Sequence, residues 1–218
     1  MTGTNRPRKS LKRTPPRRLT VLASIDIAGY TRLLEANERG TMAELATIRS
    51  KLMWPTISAY NGNLFKTIGD AALIEFASVE DSVRWAIEFQ TAMRARNATR
   101  ELPILARCGI ALADVHIEGK DHRFGSAVGF TVRIQEAARP GGIVLTHSVR
   151  WQLDTDLAGR FARTETVLVQ GNDEPIEVWI WTPEAGHAPE PAIPDLPKVA
   201  APSLGSDLPS IVVLRSTT

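Results

Sequence analysis

This 218-residue chain contains a single cysteine, Cys108, so it can form no intrachain disulfide and no cysteine-based zinc site. A reducing compartment fits, and a cytoplasmic location is expected. No window approaches the ~20 apolar residues of a membrane-spanning helix. The apolar run Leu19 to Ile25 is broken at once by Asp26 and is too short for a signal-peptide core, so no stable membrane insertion is expected. Internal repeats are absent. Acidic residues are missing from the first eighteen positions, which carry Arg6, Arg8, Lys9, Lys12, Arg13, Arg17 and Arg18. The rest of the chain then holds 19 basic residues against 24 acidic ones, which gives no argument for nucleic-acid binding.

What is present describes one globular domain with tails. A hydrophobic content of 43% and a charged content of 23% suffice for a substantial core. Residues 1 to 18 join charge repulsion to Pro7, Pro15 and Pro16, bury too little apolar surface to offset the entropy of ordering, and read as a disordered basic arm. Residues 19 to 183 read as the folded domain. Residues 184 to 218 are Pro/Ala-rich, with seven prolines from Pro183 to Pro209, and read as an extended tail.

Within the domain, Leu19 to Ile25 reads as a buried strand ending at Asp26, with Gly29 supplying a tight turn. Apolar residues then recur at helical spacing from Tyr30 to Ala59. Gly40 and Thr41 divide a short helix from a longer one, Thr41 and Glu44 suggest a capping box, and Pro55 should kink the second helix. Asn61-Gly62 opens a hairpin with strands at Asn63 to Thr67 and Ala71 to Phe76. Ser78 and Asp81 start a helix that ends near Asn97. Leu105 to Val115 is a strand with a hairpin partner at His116 to Glu118, and a helix follows from Ser126 to Ala138. Ile143 to Thr146 is a strand and Ser148 to Leu153 a short helix. Phe161 to Val169 and Ile176 to Thr182 close the domain around a turn at Gly171 to Glu174. Hairpins mixed with helical crossovers predict an α+β sandwich, a mainly antiparallel sheet with helices on one side.

Asp26 and Asp70 each stand where a strand gives way to a tight turn. One such aspartate is more often a turn or cap residue, but two in matching contexts favour a shared cation. Arg107, inside an apolar strand, calls for an anionic partner if it is buried.

The segments SIDIAGYT, KTIGDAALIEF, ARCGIALADV and GFTVRIQEAARPGGIVLTHSV together resemble the catalytic domain of class III nucleotidyl cyclases, in order and spacing, from Leu19 to Thr182. The resemblance implies a ferredoxin-like α+β fold of the nucleotidyl cyclase type, acting as a homodimer with two sites at the subunit interface. The implied reaction turns ATP into cyclic AMP and pyrophosphate, with two Mg2+ or Mn2+ ions per site. Asp26 and Asp70 match the family's metal-binding aspartates, Ile27 the residue whose carbonyl joins them, and Arg107 the arginine that contacts the phosphates. Magnesium takes oxygen ligands in an octahedron, so two carboxylates can bridge two ions ~3.5 to 4 Å apart.

The other subunit would bring the purine side. Lys66 matches the lysine that accepts adenine, which favours ATP over GTP. Arg133 matches the arginine that stabilises charge on the α-phosphoryl group. The departures fall on this side. Gly129 stands where the family has a ribose-holding asparagine, His122 where it has a second purine contact, and Gln170 where it has a phosphate-binding lysine; Asp121 serves if the loop is shifted by one. Loss of one preorganised donor costs about 10² to 10³ in turnover. Three readings follow: a weak or conditional homodimeric cyclase, a heterodimer completed by a complementary cyclase subunit, and a non-catalytic nucleotide-binding module. The segment Leu208 to Leu214 is similar to the stretch that opens a second, sensor domain in many bacterial cyclases, so that either the chain is a stand-alone or shortened relative or the pattern is a coincidence of a Pro-rich linker.

Overall fold

The structure, a computed structural model, describes residues 16–100, 103–118, 122–161, 163–170, 172 and 174–183, with the backbone alone at 118, 122 and 163. The segment Leu208 to Leu214, Asp121 and nearly all of both tails lie outside the described residues.

The central strand is β1 (Arg17–Ile27), whose alternation of apolar residues supplies two buried faces. It pairs antiparallel with β3 (Ala71–Phe76) on one edge and with β4 (Ala106–Glu118) on the other. The sheet order is β2-β3-β1-β4-β6-β8-β7, with β2 at Asn63–Ile68, β6 at Ile143–Thr146, β7 at Arg163–Val167 and β8 at Ile176–Trp181. Only the β4–β6 pair among these is parallel. The short β5 (His122–Phe124) pairs with the far end of β4. This is the expected α+β architecture.

Helices α1 (Tyr30–Ile48), α2 (Trp54–Ala59) and α3 (Val79–Asn97) cover one face, where Val21, Ala23, Ile25, Ile74, Phe76, Cys108 and Ile110 pack with Trp85, Phe89 and Met93. Helix α4 (Ser126–Glu136) corrects the expectation of helices on one side. It lies on the opposite face, with Ala127, Val128 and Val132 against Leu22, Phe65, Leu73, Ala113 and Val115. Ile134 packs beside them on Val144, Val178 and Ile180. The strands are apolar on both faces, so each face must be covered. The short helix expected at Ser148 to Leu153 is α5 (His147–Arg150), one residue earlier at its start and three shorter at its end, and a further short helix, α6 (Thr155–Gly159), follows it.

Several other boundaries move for identifiable reasons. Strand β1 starts at Arg17, not Leu19, because Arg17 and Arg18 have partners: Asp114 at 2.6 Å and Glu75. The basic arm therefore does not extend to residue 18. The helix break lies at Asn37 rather than at Gly40-Thr41. Asn37 leaves helical geometry (φ −162°, ψ 85°) and its Oδ1 accepts from the Gly40 N–H at 2.9 Å, a side-chain cap of the kind expected of Thr41. Thr41 instead donates to the Leu33 carbonyl at 2.9 Å, and Glu44 pairs with Arg96 and Arg100. Pro55 is accommodated by a π-helical turn at Arg49–Met53, which restarts the helix with the proline in its first turn. His116 to Glu118 continue β4, and their hairpin partner is β5.

Candidate active site

The even-numbered residues of β1 and the odd-numbered residues of β4 point toward α4, and this face carries the candidate chemistry. Asp26 is directly paired with Arg107 in the β1–β4 register. The Arg107 guanidinium donates from Nε to Asp26 Oδ1 at 3.0 Å and from Nη2 to Oδ2 at 2.6 Å, a bidentate pair. Both side chains are largely covered, at 27% and 17% exposure. Burial by itself would lower the Arg107 pKa, but the Asp26 hydrogen bonds and the charges of Asp26, Glu136 and Asp70 hold it above its ordinary value. The anionic partner that a buried Arg107 requires is thus within the chain.

Asp70 reaches the same corner from the β2–β3 turn. Gly69 occupies the left-handed region there (φ 58°), which aims the next residue back toward β1. The Ile27 N–H donates to Asp70 Oδ2 at 3.0 Å, so Asp26, Ile27 and Asp70 form one cluster. Arg49, carried by the π-helical turn, donates to the Gly69 carbonyl and holds this turn from outside. Gly29, at φ 69°, starts α1 just beyond the cluster.

The donors present are two carboxylates and a backbone carbonyl, hard oxygen ligands suited to Mg2+ or Mn2+. Asp70 hydrogen-bonds through Oδ2, leaving Oδ1 for a cation. No group of three or more His, Cys, Asp or Glu side chains that could hold a metal occurs among the described residues. A site of two carboxylates that leaves other positions to water and phosphate is the arrangement magnesium commonly takes.

The remaining expected residues are not gathered into this cluster. Lys66 is exposed on the edge strand β2, paired in register with Leu73. A bulge between Leu64 and Lys66 turns both Phe65 and Lys66 toward the α4 face. Arg133 lies on α4, its Nε buried without a hydrogen-bond partner. Gly129 stands one turn earlier, and a Cβ there would meet only the Arg133 Nη1, at 3.5 Å. His122 pairs through its backbone with Glu118, eleven residues along β4 from Arg107 and so roughly 35 Å away at strand rise. Gln170 is exposed beyond β7. His122 therefore lies far along the sheet from the Asp26–Asp70 corner, whereas Arg133 stands one helical turn before Glu136, whose carboxylate feels both Arg107 and Arg133.

Two contributors were not anticipated. Gln135 is 1% exposed, accepts from Ser24 Oγ at 3.2 Å, and seats α4 against Gly109. Glu136 is half-buried beside Arg107 and Asp26, and burial pushes its pKa up, offset in part by Arg107. Its place three residues after Arg133 on one helix was the available signal. Cys108, next to Arg107 but on the opposite face, is fully buried, with its thiol pKa pushed far up by burial, so it is inert.

No family model matches this chain. It is 32% identical over 202 residues to the "Putative adenylate cyclase 3" of Rhizobium meliloti (strain 1021), covering 91% of this chain and 33% of that protein. An uncharacterized protein of Mycobacterium tuberculosis (strain ATCC 25618 / H37Rv) is 31% identical over 125 residues, 57% of this chain and 32% of its own length. The chain thus spans about a third of the length of the curated relatives it matches. Among solved structures, the adenylate/guanylate cyclase/hydrolase from Silicibacter pomeroyi superposes with a TM-score of 0.68 at 31% identity, covering 78% of this chain and 99% of that one. The adenylyl cyclase CyaB from P. aeruginosa shares the fold at 19% identity, with a TM-score of 0.64 over 78% of this chain and 97% of that one.

Proposed function

We propose, for a chain that belongs to the class III nucleotidyl cyclase family, that it is an adenylate cyclase completed between two subunits. The reaction joins the ribose 3′-oxygen of ATP to its α-phosphorus and releases pyrophosphate. Asp26, Asp70 and the Ile27 carbonyl would hold the divalent cations, which would supply Lewis acidity toward the 3′-hydroxyl and positive charge against the leaving pyrophosphate. Arg107 turns its guanidinium to the phosphates. Lys66 and Arg133 of the second subunit orient adenine and steady the α-phosphoryl oxygens, respectively. The observation that carries this reading is the hydrogen bond from the Ile27 N–H to Asp70, beside Asp26, which unites two carboxylates distant in sequence.

The test is cyclic AMP formation by the purified protein with ATP and GTP in parallel, in Mg2+ and in Mn2+. Product from ATP, lost in the Asp70→Ala variant, is expected. Product that persists unchanged in that variant overturns the assignment of the cation site.

The second reading, a subunit that needs a complementary partner, is favoured by Gly129, Gln170 and His122. The open space at Gly129 leaves the ribose without a side-chain donor, and Gln170 brings no charge to phosphate. On this reading the homodimer turns over slowly or only binds nucleotide. Addition of a cyclase subunit lacking its own metal-binding aspartates should then restore product. Because the space beside Gly129 is free, Gly129→Asn should fold and raise turnover of the homodimer by about tenfold or more, given the 10² to 10³ that one preorganised donor contributes. Unchanged turnover in a folded Gly129→Asn protein would remove Gly129 as the cause.

A further inference from the structure

Glu136 closes α4 on the face that carries Asp26 and Arg107, and it makes no hydrogen bond or ion pair among the described residues. It is brought there by a close approach of helix to strand. Gly109 lies two residues from Arg107 on the same face of β4, and a Cβ at Gly109 would come within 2.4 Å of the Gln135 Cα and N. Only a glycine lets the last turn of α4 sit this low over the strand. The charges that reach the Glu136 carboxylate are those of Arg107, Asp26 and Arg133. The half-buried Glu136 carboxylate has no hydrogen-bond donor among the described residues, and the guanidinium whose charge acts on it most strongly is already committed elsewhere.

That guanidinium belongs to Arg107, which spends both arms of its fork on Asp26. Asp26 is also one of the two carboxylates that the cation site needs. A divalent cation approaching its oxygens would meet a guanidinium 2.6 to 3.0 Å from them, a repulsive contact in a partly covered site. Occupation of the site therefore requires the guanidinium to go elsewhere, and Glu136 is an unpartnered acceptor beside it. Arg133, one turn earlier on α4, adds a second positive charge near Glu136 but forms no hydrogen bond with it.

Building on the cation-site reading above, we propose that Glu136 is a positioning residue for Arg107: in the nucleotide-free protein, before phosphates are there to take it, Glu136 receives the guanidinium when Asp26 turns to a divalent cation. The exchange keeps one ion pair intact throughout. Arg107 leaves one carboxylate for another, and Asp26 trades a guanidinium for a metal. Without Glu136, Arg107 stays on Asp26 and competes with the cation.

The test is the affinity of the nucleotide-free full-length protein for Mn2+, read as free Mn2+ by electron paramagnetic resonance. The proteins compared are wild type, Glu136→Gln, Arg107→Gln, the double variant and Asp70→Ala. Glu136→Gln should weaken Mn2+ binding about tenfold in the wild-type background and no more than about twofold when Arg107 is already replaced. Thermal melting should show Glu136→Gln melting no lower than wild type at neutral pH, since the ionised carboxylate is disfavoured in the fold. Equal weakening in both backgrounds would mean that Glu136 acts on the cation directly, and unchanged affinity would leave it a structural residue; either overturns the proposal. If Mn2+ binding is lost in Asp70→Ala yet indifferent to Glu136, only this inference fails. If wild type binds no Mn2+, or Asp70→Ala binds as well as wild type, the cation-site reading fails and takes this one with it.

Discussion

Glu75 shows how much one residue can carry in a strand that is otherwise apolar. It lies opposite Leu22 in the β1–β3 register, is 4% exposed, and receives Arg18 and, at 2.9 Å, the Nε of Arg123. Burial alone would raise its pKa, but the hydrogen bonds from Arg18 and Arg123 and their charges hold it below the ordinary glutamate value. A depressed carboxylate contributes stability that is fully present above its unfolded-state value and is lost as pH falls through the folded one. Wild type should therefore lose part of its denaturant stability as the pH drops below the ordinary glutamate range, and Glu75→Gln should flatten that dependence. At neutral pH the same variant should cost about 3 kcal/mol, the low end for breaking a buried pair, because Arg18 is half exposed. Urea titrations of both proteins across pH measure this. Glycine acts at the same scale in opposite ways: Gly129 leaves room that an asparagine could fill, whereas Gly109 leaves none.

At the scale of the element, the position of α4 decides which residues can act together. Its contact with β4 depends on Gly109, where an added methyl group would strike the Gln135 backbone rather than a yielding side chain. Gly109→Ala should lift the last turn of α4, separate Glu136 from Arg107, and cost about 2 to 3 kcal/mol, at the upper end of the usual cost of overpacking. The drop in urea midpoint, with the m-value unchanged, would report it. A variant as stable as wild type would show that the helix can slide without loss. The π-helical turn before Pro55 is a second element with consequences for the site. By absorbing the proline it sets Arg49 over the β2–β3 turn, where it holds the Gly69 carbonyl beside Asp70. Helix periodicity around Pro55 shows that something must give, but not that the adjustment is a wide turn carrying an arginine toward the site.

For the whole molecule, the Asp26–Arg107 pair lies at the start of β4 and His122 pairs with its far end. A catalytic centre built from both must draw on two chains, since one rigid sheet keeps its ends apart. Specific cyclase activity should accordingly rise with protein concentration and level off as dimer forms, with sedimentation following the same curve. Specific activity that stays constant across dilution to monomer would overturn the composite site. The local signals were strong in the sequence: the short apolar, β-branched run from Leu19 to Ile25, the Ser78 cap, the hairpin strand at Ala71 to Phe76 and the strand at Ile143 to Thr146 all form the elements that pattern and turn chemistry place there. Asp26 and Asp70 were legible because each depends on its own strand end and turn. The tertiary structure alone decided that α4 crosses to the second face, that Arg107 is held by Asp26, that Glu75 is buried and that Glu136 is half-buried beside Arg107. The reason is physical: periodicity reports which face of an element is apolar, whereas the pairing of charges over 81 or 57 residues depends on register and on how closely a helix can approach a strand.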